Sequence, residues 1–193
     1  PPRGAFPPFG PAPPPAAPVP GGFPAWIDGV YYARAGAYLT DSEAQAAAAS
    51  IPGATVTGTS SYGVSVVKTG TSTVLFQFDG GAGLALTLKP GLDDSTKTET
   101  WFNKFKYYGS FQFQRVNGGN ITVASVVPLE DYVSCVLSRE MSDDWPLEAL
   151  KAQAVVARTY AGTSYGRHTS SGVDLCGTNH CQVYSGCSLV GAN

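Results

Sequence analysis

From residue 129 the apolar positions fall into a helical repeat. At about 100° per residue, Leu129, Tyr132, Val133, Val136 and Leu137 make one stripe, and Glu130, Asp131, Ser134 and Ser138 lie opposite. The pattern predicts a helix over 129–141. Glu140, eleven residues after Leu129, returns to the middle of the apolar stripe. It also stands in the last turn, where unpaired carbonyls disfavour a negative charge. Partial burial and that dipole both favour a protonated carboxyl, the form a general acid needs. Glu140 is therefore the first catalytic candidate. The alternative is a frayed helix end with this side chain in water.

A second helix is predicted over 146–161. Pro146 suits the first helical position, because its missing N–H would have been unpaired there. Trp145, extended before proline, would act as the cap. Residues 147–161 are rich in Ala and Leu without internal Gly or Pro. Apolar residues cover most of the circumference, which predicts burial on more than one side. A narrow polar stripe remains: Glu148, Lys151, Arg158 and Thr159. Either it is solvated, with a Glu148–Lys151 pair, or it lines a cleft in which Arg158 faces Glu140 or an anionic substrate group.

Upstream the period changes to two. Residues 106–114 alternate aromatic and polar, Asn117-Gly118-Gly119-Asn120 is a hairpin turn, and 121–127 form the return strand. This hairpin belongs to the sheet on which both helices pack. Residues 93–100 are polar and predict a surface loop. Before them, 23–90 read as a small separate unit: a strand at 31–38, a short capped helix at 41–49, strands at 63–69 and 72–78 joined at Gly70, and a strand at 84–89. Residues 1–22 are a Pro-rich linker of polyproline character. With no regular βα alternation the fold class is α+β. The expected domains are 1–22, 23–90 and 91–193, the last carrying the chemistry.

Composition narrows the partners. The net charge is −2 and only 13% of the 193 residues are charged, so no basic surface argues for nucleic acid or anionic membrane. No apolar run approaches the ~20 residues that span a bilayer. There is no initiator Met and no signal-peptide pattern, so the N-terminus reads as a processed or trimmed boundary.

Both histidines fall close to three of the four cysteines: His168, Cys176, His180, Cys181 and Cys187. Thiolate and imidazole are the usual zinc ligands, and His168, Cys176, His180 and Cys181 are the candidate set for a structural zinc. The spacing is not that of a standard finger. His180 and Cys181 are adjacent, and neighbours in an extended chain point oppositely, so both can bind one ion only across a turn. The alternative is a disulfide, Cys176–Cys181 or one using Cys187. Cys135 reads as a small packing residue, and Asp174 as a residue that structures its loop. The two histidines as general bases are a further alternative.

Leu129-Glu130-Asp131-Tyr132, Arg139-Glu140-Met141, Trp145-Pro146, Glu148-Ala149-Leu150-Lys151-Ala152-Gln153-Ala154, Ala157-Arg158-Thr159-Tyr160 and His180-Cys181-Gln182-Val183-Tyr184 together resemble the stage II sporulation protein D / amidase-enhancer family. The match covers roughly the last ninety residues. It implies a lytic transglycosylase acting on peptidoglycan glycan strands stripped of their stem peptides. It also implies Glu140 as catalytic acid/base and Arg158 as a functional residue. Lys151, Gln182 and Tyr184 become substrate-binding candidates, Tyr184 by stacking on a sugar or else by filling the core. Some family members are similar in holding a zinc near the block at 180–184. The implied setting is extracytoplasmic, with a cell-wall amidase as partner. Family members usually continue well beyond this block, so the chain reads as C-terminally truncated or its cleft as incomplete. The unit at 23–90 loosely resembles the sporulation-related repeat that binds peptide-free glycan, or is a packing extension. A glycan-binding module that enhances an amidase is thus the alternative function. Hydrolysis ordinarily needs two carboxylates. A single suitably placed Glu favours transglycosylation, in which the sugar's own C6 hydroxyl attacks.

Overall fold

The computed structural model describes residues 21–36, 38–91 and 98–187. All but the last two residues of the expected Pro-rich linker, and most of the loop expected at 93–100, lie outside them. The architecture is α+β, as the sequence predicts. The chain divides into two compact units, Pro1–Leu84 and Ala85–Asn193.

In the first unit, strands β1 (Gly22–Ile27), β2 (Val30–Ala35), β3 (Val64–Val67) and β4 (Val74–Asp79) form one sheet in the order β2-β1-β4-β3. Strand β1 was not among the expected elements, and it carries Pro24 although a proline is disfavoured in a central strand. The fold accommodates it: pairing to β4 begins only at Ala25, so Pro24 stands before that ladder starts. Helix α1 (Asp41–Ala48) is capped as predicted, with Thr40 and Glu43 exchanging side-chain and backbone bonds in a capping box. Asp79 is buried. Burial pushes its carboxyl up, but donors from Ser60 and the Gly81 N–H more than offset this and hold it below the ordinary value.

The second unit contains β5 (Leu86–Leu88), β6 (Glu99–Phe102), β7 (Phe105–Tyr108), β8 (Ser110–Arg115), β9 (Ile121–Val126), α2 (Leu129–Glu140) and α3 (Leu147–Thr163). The strand expected at 84–89 is found as β5. It pairs with β8, in the second unit and not in the first. The predicted hairpin is β8–β9, paired from Ser110↔Val126 to Arg115↔Ile121, and Asn117 and Gly118 take the left-handed conformations its turn requires. The expected continuous strand at 106–114 is broken. Gly109 has φ 81°, and a Cβ there would collide with the carbonyl oxygen of Val126. The chain therefore turns at Gly109 and leaves the β6–β7 hairpin for the β5-β8-β9 sheet.

Helix α2 buries Tyr132, Val133 and Val136 of the predicted stripe, with Cys135 packed beside them as expected, while Leu129 at the start of the stripe is 44% exposed. Tyr132, Val133 and Val136 meet Ala157 of α3 in the core, with Leu175 and Tyr184 packed against them. Two expectations about α3 need correction. Pro146 is the cap residue and helical geometry starts at Leu147, so Trp145 lies outside the helix. Only Ala157 is buried, while Val155 and Val156 are each 59% exposed. Small side chains let α2 approach closely on one face, but among the described residues nothing covers the other. No described helix is long and apolar enough to cross a membrane.

Replacing Gly109 with Ala should destabilise the second unit by about 1–3 kcal/mol, the usual cost of a strained backbone position. Denaturant unfolding with unchanged slope and a lower midpoint is the expected readout. An unchanged midpoint contradicts the close packing described here.

Candidate functional site

Glu140 is the last residue of α2, and its side chain is exposed, not buried in the stripe. Val136, one turn earlier on the same face, is fully buried. What covers the stripe therefore ends between these two residues. The carboxylate is nonetheless held: the Val183 N–H donates to its Oε1 at 3.3 Å. That bond ties the end of α2 to the segment after α3.

Gln182, beside Val183, fastens the same segment to both helices. The Tyr132 hydroxyl donates to Gln182 Oε1 at 3.0 Å, and Gln182 Nε2 donates to the Ala157 carbonyl at 3.4 Å. Burial pushes the Tyr132 phenol up to about 12, assisted by the neighbouring Cys181 thiol, so it remains a proton donor across the physiological range. Tyr184 turns inward. Its ring lies 5.0 Å from Tyr132 and 5.8 Å from Tyr107, and its hydroxyl is 3.3 Å from Ser125 Oγ. Burial holds its phenol well above the ordinary range. Of the two readings of Tyr184, core filling describes this placement. The polar atoms of Gln182 likewise point at protein partners.

Arg158 does not face Glu140. Its guanidinium makes a two-pronged pair with Glu130, Nε to Oε1 at 2.7 Å and Nη2 to Oε2 at 2.6 Å. Glu130 precedes Glu140 by ten residues of α2, about 15 Å of helix rise. Arg158 therefore sits toward the opposite end of that helix. Lys151 is exposed and bonds Glu148 at 2.8 Å, the solvated pair that was one of the two readings of the stripe. Asp174 accepts from the Gly166 N–H at 3.2 Å and structures its loop.

The cysteine and histidine residues do converge. Ligand atoms of His168, Cys176, His180 and Cys181 all lie within 4.8 Å of one another and could hold one metal ion. His168 Nε2 is 3.2 Å from Cys181 Sγ, and His180 Nδ1 is 3.7 Å from both Cys176 Sγ and Cys181 Sγ. The adjacency problem is solved by a turn: the Cys181 N–H donates to the Thr178 carbonyl at 3.0 Å, bringing His180 and Cys181 to the same side. The Thr178 hydroxyl and backbone, helped by Cys181 and His180, lower the Cys176 thiol to about 5 against the opposing effect of desolvation. Cys176, Cys181 and Cys187 are free thiols. Cys187 is buried away from the cluster, its N–H donating to the Lys106 carbonyl at 2.6 Å.

Sequence reasoning missed two supports of the site. Tyr132 was read only as an apolar stripe residue, though a tyrosine on a buried stripe needs a hydroxyl partner and so announces one. Arg139, next to Glu140, lies with its guanidinium 5.5 Å from the centre of the Phe105 ring, which docks the β6–β7 hairpin at this end of α2. No sequence periodicity relates those two positions.

Residues 117–192 match the family model SpoIID, stage II sporulation protein, and the resemblance read from the motifs is borne out over that segment. An uncharacterized protein of Brachyspira hyodysenteriae is 43% identical over 99 residues, which is 51% of this chain. The aligned part is 27% of that relative, so the chain spans about a quarter of its length. No solved structure matches the chain.

If the four donors hold an ion, protein purified without added metal carries close to one equivalent by elemental analysis, and Cys181→Ser loses it. Because the Cys176 thiol is lowered to about 5, its thiolate persists above that pH, and protons compete with the metal as pH falls through it. Metal retention should therefore drop on acidification through that range. Metal-free protein whose loop thiols do not titrate would contradict the assignment.

Proposed function

We propose that the second unit is a peptidoglycan lytic transglycosylase acting on peptide-stripped glycan strands in sporulation or cell-wall remodelling, outside the cytoplasm. The family match supports the sporulation-related cell-wall setting. The observation that carries the catalytic reading is the exposed Glu140 carboxylate, held at the end of α2 by the Val183 N–H.

An exposed acid is accessible to an extended polymer. A strand lying across Glu140 can bring a glycosidic oxygen within reach of its carboxyl. Glu140 then donates its proton to the glycosidic oxygen as the bond to the anomeric carbon breaks. The resulting carboxylate takes the proton of the muramic C6 hydroxyl as that oxygen attacks the same carbon, closing a 1,6-anhydro ring. One carboxylate serves both steps, and no water is consumed.

The cluster fits zinc. Tetrahedral zinc with bonds of about 2.3 Å to sulfur and 2.0–2.1 Å to nitrogen separates its ligands by roughly 3.5 Å. Three of the six donor pairs, at 3.2, 3.7 and 3.7 Å, are near that spacing, and all six lie within 4.8 Å. When bound, zinc supplies a fixed cross-link among His168, Cys176, His180 and Cys181. The chain's own residues then transmit that rigidity through Gln182 and Val183 to Glu140.

A second reading is a glycan-binding module that enhances a cell-wall amidase. It is favoured by one observation, the commitment of Arg158 to Glu130, which leaves Glu140 without that cation. Release of soluble glycan from peptide-stripped sacculi separates the two. Glu140→Gln should lower the rate by about 10²–10⁴-fold with thermal midpoint and metal content unchanged. Full activity in this variant rejects Glu140 as the acid. Retention on sacculi without release by either form, together with stimulation of an amidase, supports the module.

A further inference from the structure

A second surface of the same unit has the form of a carbohydrate platform. Between β5, the β6–β7 hairpin and β8 lies a cavity of about 270 Å³, walled by Leu88, Lys89, Trp101, Phe102, Phe111 and Phe113. Trp101 is 67% exposed. A large ring left open beside Phe102 and Phe111, which are packed at 5.2 Å, offers a flat apolar face that the core does not use. The cavity falls just below the roughly 300–1,000 Å³ of pockets that enclose drug-sized ligands, and so suits one ring of a chain and not a whole molecule.

The occupant is indicated by chemistry and by position. The C–H face of a pyranose stacks on an aromatic ring. Each muramic acid freed of its peptide also carries a lactyl carboxylate. Lys89 stands on the cavity wall, and the Lys106 ammonium is 5.5 Å from the centre of the Trp101 ring while also pairing with Glu99 at 2.8 Å. An ammonium carries three N–H donors, so these lysines can bond a sugar carboxylate while keeping the partners they have, and with the apolar platform they match an anionic sugar better than a neutral one. The hairpin bearing Trp101 is also the one docked beside Glu140. Trp101 pairs with Lys106 and Phe102 with Phe105 in its register, and Phe105 is the ring under the Arg139 guanidinium.

We infer that the Trp101 groove is an outer subsite that holds a muramic ring of the same glycan strand presented to Glu140. This rests on the glycan reading of the site but not on Glu140's chemistry. The site it names is a binding surface, with Trp101 as its stacking residue and Lys89 at its wall.

The test is calorimetric titration of the 193-residue chain with peptide-free glycan tetra- and octasaccharides, in the wild type and in Glu140→Gln. Trp101→Ala should weaken octasaccharide binding about tenfold, the worth of one aromatic stack. Trp101→Phe, which keeps a ring, should restore most of it. Because Trp101 is already largely exposed, the variants should melt as the parent does. Oligomers of N-acetylglucosamine alone, lacking the carboxylate, should bind more weakly than the muramic-containing ones. Equal binding by Trp101→Ala and the parent overturns the subsite, as does an absence of binding by the parent. Equal affinity for the neutral oligomers overturns the match to peptide-stripped strands. Concentration-dependent dimerisation abolished by Trp101→Ala assigns the groove to a second copy and also overturns it. The two readings fail separately. Weakened binding in Trp101→Ala beside full cleavage by Glu140→Gln leaves the groove and removes the acid. Unchanged binding beside an inactive Glu140→Gln does the reverse.

Discussion

The segment after α3 folds back across both helices, and Gln182 is its fastening. One end of the amide accepts from Tyr132 on α2, and the other donates to Ala157 on α3. Each such bond contributes only about 1 kcal/mol net, but an orphaned partner inside the packed interface costs more than the bond contributes. Around this staple, Tyr184 packs inward on Tyr132, and the next N–H reaches outward to Glu140. The Cys/His cluster occupies the start of the same segment. Cluster, core and candidate acid are therefore arranged by one short stretch of chain. A change at Cys181 reaches Glu140 through two intervening residues, Gln182 and Val183.

Much of this was legible because it is local. Apolar spacing located α2, turn chemistry located the β8–β9 hairpin, and the clustering of both histidines with three cysteines anticipated the donor group. What failed was not local. Helical angle states which way Glu140 points but not where the neighbour covering that face ends, and it ends just after Val136. The stripe through Arg158 suggested Glu140 or an anionic substrate group as its partner, and the packing of the helices selected Glu130 at the other end of α2. Alanine and valine on α3 read as buried on more than one side, although a residue with little polar surface is not thereby covered. Gly109 broke an alternation that looked continuous, because the reason for the break is the approach of Val126 from a different strand.

Exposure changes the physical account of Glu140 without removing it from the site. A buried acid would have been poised in the free protein. An exposed one is open to a substrate that lies across the end of the helix. That suits a long polymer, which brings its own low-dielectric surface and makes contacts beyond the reacting bond. Arg158, held by Glu130, then acts as a brace between α2 and α3 at the end remote from the acid.

The central claim is that a single carboxylate passes one proton out and takes one back while the sugar's own hydroxyl attacks. The mass of the products tests this most directly. Digestion of peptide-stripped glycan by the chain should yield fragments whose new muramic ends are 1,6-anhydro, lighter by one water than reducing ends and resistant to borohydride reduction. New reducing ends, labelled from heavy-oxygen water, would show that water attacked, and would contradict the mechanism.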